Sequence, residues 1–446
     1  MSPNRRVVLF VVISTFLLFV VSTVSILTGF TWEPLARVNL VADVISQPTL
    51  VASSTDADSN TVVTVVNTQK DLSLYHKANT ITEFNPDSNT ATLQRFLAKL
   101  QELRRTKKGR IRIAYFGDSM IEGDLLTQTL RQLLQKEFGG SGVGFVPVNS
   151  PVSKFRQTVT ADCSDSWTDD NFKGKNTRLY LSGHSYTTGS GWITMTDRTV
   201  NDSNAQLEKS LLCGQQTTPV SIRVNDAPFS LQAPAPLNRI VLQRGNGQSI
   251  KVAMSNPALP VYGLSFETAD GIFVDNFSFR GITGVEFGKV DSAFLSAIAA
   301  GNPYDLVVVQ YGVNLLFKPN EKNFSWYAKM MQPVVRKLRN CFTNSDFIIV
   351  STADRAFRYA DGYRSAVGID SLIKVQAQLA WNTNSAFYNQ FATMGGTNSI
   401  VDWARQKPAL ANQDYVHPNH RGAAILGELF YKALMKEYHK YELTHP

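Results

Sequence analysis

Only three cysteines occur in the 446 residues, too few for a disulfide-scaffolded fold. None has a base and an orienting group in its sequence context, which excludes a thiol nucleophile. Cys163 and Cys213 fall in one β-rich stretch and would oxidise outside the cytoplasm if the fold brought them together, whereas Cys341 stands alone. Charge is sparse as well, with 18% of residues charged against 43% hydrophobic. That balance excludes a disordered chain and supplies core for two or three domains. There is no zinc-finger spacing and no aromatic-basic nucleic-acid motif. The formal net charge of +8 is therefore a bias toward anionic surroundings and not a nucleic-acid footprint. The densest basic run, Arg104-Arg105-Thr106-Lys107-Lys108-Gly109-Arg110, closes a helical pattern, where cations face the negative end of the dipole. His420 lies near His417 and Asp414, but no further ligand cluster accompanies it, so neither a metal nor a cofactor is expected.

What is present starts with a membrane signal. After Arg5-Arg6 come 24 uncharged residues, Val7 to Phe30, long enough to cross about 30 Å of hydrocarbon as a helix. The run lacks the short core and small-residue exit of a cleaved signal peptide. Residues 1–30 are expected to be an uncleaved signal anchor with its arginines cytoplasmic and the rest of the chain beyond the membrane. Residues 31–87, with a Ser/Thr/Asp/Asn-rich middle from Ser53 to Thr61, read as a stalk.

The chemistry is carried by three short motifs. The apolar run Arg112 to Phe116 enters Gly117-Asp118-Ser119 and then an amphipathic segment ending at Gly139-Gly140. A strand-turn-helix of this kind presents Ser119 at the carboxyl edge of a parallel sheet, where open α/β folds place ligands. A serine hydroxyl is a weak nucleophile and needs a base held by a third group. Asp414-Tyr415-Val416-His417 supplies both, since a carboxylate three residues before the imidazole can reach its near nitrogen. The buried strand Asp305 to Gln310 leads into Tyr311-Gly312-Val313-Asn314, placing an amide donor at the same edge for a developing oxyanion. Taken singly, Ser119 reads equally as a turn residue, and Asp414 with His417 as the capped start of a helix. Their joint presence favours the catalytic reading.

The surrounding pattern alternates. Helical spacing at Leu93, Phe96, Leu97, Leu100 and Leu103 precedes the Ser119 strand. Downstream, strand Asp346 to Ser351, helix Asp370 to Trp381, strand Ala386 to Phe391 and helix Arg421 to Tyr438 complete an α/β doubly wound parallel sheet. Residues 150–260 change texture to short alternating segments, expected to form an inserted antiparallel β-sandwich. There Trp167, Tyr180, Tyr186 and Trp192 are either sugar-stacking platforms or core.

These motifs resemble the SGNH (GDSL-type) hydrolases, whose fold is flavodoxin-like. Ser119, Asn314, Asp414 and His417 match the family's serine, asparagine and Asp-x-x-His. The family's oxyanion glycine is matched by Gly281, with Gly284 the competing position. The stretch Gly117 to Asp124, then Leu130-Arg131 and Phe138 to Phe145, is similar to the periplasmic peptidoglycan O-acetylesterases, which also carry an inserted β-rich module. About 160 residues separate Ser119 from Gly281 here. Met120 stands where that branch often has histidine, and Leu315 where an acidic residue is frequent. The resemblance implies a hydrolase domain at 88–149 and 261–446 around a β-rich, glycan-binding module at 150–260. It implies an extracytoplasmic serine acetylesterase on the bacterial inner membrane, acting on an O-acetylated envelope glycan, foremost peptidoglycan. Two alternatives stay open: an O-acetyltransferase using the same acyl-enzyme, and an inactive membrane-tethered glycan-binding scaffold.

Overall fold

Strands buried on both faces are mostly apolar, and five such strands form the parallel part of the central sheet. The computed structural model describes residues 72–84 and 92–445, and of the first 71 residues only Arg5, Leu9, Ile13, Leu17 and Val20. Most of the expected anchor and of the 31–87 stalk therefore lies outside the described residues. Among the described residues no helix is long and apolar enough to cross a membrane.

Along the chain, β1 (Ile81–Thr82), α1 (Gln94–Thr106), β2 (Arg110–Gly117) and α2 (Thr127–Phe138) come first. Then follow β3 (Gly144–Pro147), β4 (Val159–Cys163), β5 (Thr168–Asn171), β6 (His184–Asp197), β7 (Leu207–Val224), β8 (Ala227–Gly245) and β9 (Ser249–Thr268). The chain continues with β10 (Gly271–Ser278), α3 (Ser292–Gly301), β11 (Leu306–Gln310), α4 (Ser325–Cys341) and β12 (Asp346–Val350). It ends with β13 (Ala356–Tyr359), β14 (Gly362–Ser365), α5 (Ile369–Asn382), β15 (Ala386–Tyr388), α6 (Gln390–Met394), α7 (Ser399–Arg405) and α8 (His420–Thr444).

The central sheet has the order β1-β15-β12-β11-β2-β10 and is parallel except at β1, which runs antiparallel on β15. Alternate residues of each strand feed two cores. Ile113, Tyr115, Val308 and Ile348 pack under α1, α2, α7 and α8, while Ala114, Phe116, Val309 and Phe347 pack under α3, α4 and α5. Both faces are thus covered, which is the doubly wound arrangement expected. Register matters more for function than the count of strands. Gly117 pairs with Gln310 on one side and with Ser278 on the other, so the loops after β2, β10 and β11 leave the sheet at one level. The chain order reverses at β2, the place where open α/β sheets bind their ligands.

The inserted module departs from expectation in form. Strands β3 to β9 make one hydrogen-bonded antiparallel sheet, ordered β4-β6-β9-β7-β8 with β3 on β9 and β5 on β6, and not two separate sheets. Its long strands change register, for example between Cys213 and Ile222 of β7, and such irregularities let one strand bend and serve two neighbourhoods. Leu211, Ile222, Leu231, Ile250 and Phe266 share its core. The sheet spans 144–268, and β9 stops two residues before β10. Tyr180 and Tyr186 are core residues, 0% and 1% exposed, with Tyr180 stacked on Tyr262 at 5.1 Å. Trp167 and Trp192 are part-buried, and the indole N–H of Trp167 donates to the Trp192 carbonyl (3.2 Å). All three cysteines are free thiols. In strand order β6 and β9 stand between Cys163 and Cys213, whereas a disulfide needs Cα atoms about 4.4–6.8 Å apart, the reach of adjacent strands.

Module and hydrolase face are joined through buried charge. Glu267 of β9 accepts bidentate bonds from Arg112 of β2 and pairs with Arg239 of β8 at 3.0 Å. Burial opposes its charge, but Arg239 and Arg112 outweigh burial and hold the carboxyl down at about 2.

Candidate active site

Ser119 sits in the turn that follows β2. Gly117 ends that strand where a Cβ would come within 2.8 Å of the Ile121 side chain and 3.2 Å of the Gln310 carbonyl, so a larger residue would have to displace Ile121. Asp118 then closes an Asx turn by accepting the Met120 N–H (3.0 Å). Three hundred residues on, the Asp414–His417 turn is curled by Tyr415, which adopts a left-handed φ of 56°. Asp414 Oδ1 accepts the backbone N–H groups of Val416 (2.9 Å) and His417 (3.0 Å). The other oxygen, Oδ2, lies 2.7 Å from His417 Nδ1, and His417 Nε2 lies 2.8 Å from Ser119 Oγ. The cap of α8 is Asn419, whose side chain accepts from Arg421 and Gly422, so Asp414 and His417 are not occupied in starting that helix. Partial burial opposes the charge on Asp414, but the bonds from His417 and from the two backbone N–H groups hold the carboxyl below its usual range. A neutral imidazole bonded to this carboxylate through Nδ1–H presents its Nε2 lone pair to the serine.

Asn314, leaving β11, reaches the same place. Its Nδ2 donates to Asp118 Oδ2 (3.1 Å) and to the Ile282 carbonyl (2.9 Å). The amide thereby ties the loops after β2, β10 and β11 together. Both of its hydrogens are engaged, so donation to an oxyanion requires one of those acceptors to yield.

Of the two candidate glycines, the one beside Asn314's carbonyl partner is Gly281. It has a φ of 80°, is exposed, and has no atom within 4 Å of a would-be Cβ. Gly284 (φ 92°) is buried against Tyr311 and Met331 and starts the 3-10 turn Val285–Lys289, away from the open edge. The Gly281 loop is fastened to the Ser119 turn by Arg280, whose guanidinium grips the Glu122 carboxylate at 2.6–3.1 Å.

Sequence reading assigned no role to Asp118, Glu122 or Arg280. Asp118 is fully buried, and burial pushes its carboxyl up to about 7 against the opposing Met120 N–H bond. Its folded pKa thus exceeds the ordinary 3.8, so the folded state binds this proton more tightly. Its contribution to stability is complete below about pH 4 and is lost as the pH rises through about 7. Asp118→Asn is expected to flatten that decline, visible as a smaller difference in Tm between pH 5 and pH 8 than the parent shows.

No family model and no curated protein matches the sequence. Among solved structures, a peptidoglycan O-acetylesterase superposes with a TM-score of 0.69, covering 81% of this chain and 99% of that one at 20% identity. The chain has the SGNH hydrolase fold. A family two carbohydrate esterase from Cellvibrio japonicus (TM-score 0.27, 8% identity, 64% of this chain and 99% of that one) also superposes in part. So does an acetyl xylan esterase from Geobacillus stearothermophilus (TM-score 0.27, 22% identity, 37% and 73%). Within the SGNH fold of this chain, Ser119, Asn314 and Gly281 occupy loops at the carboxyl ends of three adjacent strands. His417 and Asp414 enter from the turn before the last helix.

Proposed function

We propose that this protein is an SGNH-type serine esterase that removes O-acetyl groups from a cell-envelope glycan, with peptidoglycan as the leading substrate. The observation that carries the reading is the unbroken line Ser119 Oγ, His417 Nε2, His417 Nδ1, Asp414 Oδ2, with links of 2.8 and 2.7 Å. Ser119 Oγ attacks the acetyl carbonyl while His417 takes its proton. The oxyanion is received by the backbone N–H groups of Ser119 and Gly281 and by the Asn314 amide once it turns from Asp118 or Ile282. His417 returns the proton to the departing sugar oxygen, leaving an acetyl-serine. Water, deprotonated by the same imidazole, then releases acetate and restores Ser119. Placement outside the cytoplasm, on a bacterial inner membrane, is supported by the uncharged run Val7 to Phe30 after Arg5-Arg6.

The test is acetate release from O-acetylated peptidoglycan and from an aryl acetate by the parent and by Ser119→Ala. The parent is expected to release acetate from both, and the variant to fall by roughly 10⁴- to 10⁶-fold in kcat. Turnover of aryl acetate only in the presence of a sugar acceptor would assign transfer in place of hydrolysis. Absence of turnover in the parent, with glycan binding that survives Ser119→Ala, would assign a binding scaffold.

A further inference from the structure

Between the module and the hydrolase face lies a cavity of about 380 Å³, within the range of small-ligand sites. One wall comes from the loops that flank the reacting residues: Glu122 lies three positions after Ser119, and Arg280 immediately precedes Gly281. The opposite wall comes from the module and includes Asn149, Ser182 and His184.

Most of the charges along the cavity are paired: Glu122 with Arg280, Asp124 with Arg156 and with Arg131 behind it, and Asp169 with His184, while Asp162, Asp165 and Lys173 are exposed. Beside these charges the cavity is lined by neutral hydrogen-bonding side chains, among them Asn149, Asn171, Ser182 and His184. Two of these groups have no use within the protein. Ser182 Oγ is buried, in a residue 4% exposed, and has no hydrogen-bond partner. A buried hydroxyl left unpaired costs about 1–3 kcal/mol and calls for an explanation. His184 is held on its other side: Nδ1 lies 2.8 Å from Asp169 Oδ1, and the ring stacks with Tyr186 of β6 (5.4 Å, 8°) and with Phe279 just after β10 (4.9 Å, 29°). With Nδ1–H given to a carboxylate, Nε2 is an oriented acceptor, and it has no partner among the described residues. No nucleophile bonded to His184 makes it a second triad, and among the described residues no group of His, Cys, Asp and Glu could hold a metal ion. An oriented acceptor and an orphan hydroxyl, set among amides beside an aromatic ring, suit vicinal hydroxyls and acetamido groups.

We propose that this cavity is a saccharide subsite, in which His184 Nε2 and Ser182 Oγ bind the hydroxyl or acetamido groups of an uncharged hexose ring adjoining the acetylated sugar. The proposal rests on the esterase reading for the identity of that neighbouring sugar. Its test is independent of turnover. Titration of the N-acetylglucosamine tetrasaccharide into the full chain carrying Ser119→Ala is expected to show saturable binding, with Kd raised about tenfold by adding His184→Asn and by adding Ser182→Ala, the loss of about one hydrogen bond each. Asp169→Asn, which keeps the ring but releases its tautomer, is expected to weaken binding in the same direction and serves if His184→Asn does not fold. Equal Kd values for all variants, or no binding in the Ser119→Ala background, would overturn the subsite. In the Ser119-intact protein, the ratio of kcat/KM on O-acetylated peptidoglycan to that on aryl acetate is expected to fall about tenfold on His184→Asn. If the parent turns over neither substrate, the esterase reading fails, and the titration still decides the subsite.

Discussion

Asp414→Asn is expected to lower kcat by about 10³- to 10⁴-fold with little change in folding. The reason lies in how Asp414 is held. Its Oδ1 already accepts two backbone N–H groups, from Val416 and His417. An asparagine at this position satisfies those donors best with its amide oxygen, which turns its NH₂ toward His417 Nδ1. The imidazole must then carry its proton on Nε2, where it faces Ser119 as a donor and cannot accept the serine's proton. Because the Asp414 side chain is 46% exposed, water supplies part of what the carboxylate gives, so the lower end of the range is included. The check is kcat on an aryl acetate across pH 6 to 10, with circular dichroism confirming the fold. A loss under tenfold at neutral pH would mean that His417 is oriented by something other than Asp414.

The candidate site was legible because each of its residues follows a strong local signal. Ser119 follows a buried strand and a glycine packed close against Ile121 and the Gln310 carbonyl, and Asn314 follows a five-residue run buried along its length. The Asp-x-x-His spacing builds its own turn. What the sequence could not show is how these residues engage one another across the chain. The double engagement of the Asn314 amide depends on Asp118 and on the Ile282 carbonyl, 196 and 32 residues away. The choice between Gly281 and Gly284 likewise needed the third dimension. Both have positive φ, and only the packing of Tyr311 and Met331 against Gly284 separates them. His184 and Asp169 have no motif to join them, since they lie 15 positions apart on the neighbouring strands β6 and β5.

For the fold, periodicity located the strands of the parallel sheet and helices α1, α2, α5 and α8, because full burial writes a mostly apolar run and half burial writes a helical stripe, whereas helices α3 and α7 were not announced. The module was legible as β-rich but not in its limits. Its first strand, Gly144–Pro147, pairs with Gly263–Phe266 near the far end of the insertion, and no local signal announces a pairing across more than a hundred residues. Tyr180 and Tyr186 posed the same difficulty, since an aromatic that stacks on a sugar and one that stacks on a neighbouring ring look alike in sequence.

The same long-range logic makes Asp124 the residue whose loss should cost most in stability. It is fully buried, yet it accepts from Arg131 (2.7 and 2.8 Å), Arg156 (3.3 Å), Thr127 (2.6 Å) and Thr158 (2.7 Å). Arg131 is itself 1% exposed, and also donates to the Val274 carbonyl of β10. One carboxylate thus joins the Ser119 turn, helix α2, strand β10 and the module's first connection. Burial opposes its charge, but Arg131 and Arg156 outweigh burial and hold the carboxyl far below its usual range. Because its folded pKa is depressed, this contribution is present above about pH 4 and is lost as the pH falls below that, opposite in sign to Asp118. Asp124→Asn keeps the shape but leaves Arg131 buried without its bonded carboxylate, and is expected to destabilise by about 3–5 kcal/mol in urea unfolding at pH 7. Removing both charges, as in Asp124→Asn with Arg131→Met, is expected to cost less than the sum of the two single changes, because the second change removes the charge that the first left unpaired. Strict additivity would mean that the two residues contribute separately, and that the module is held to the hydrolase face mainly by Glu267 and its arginines.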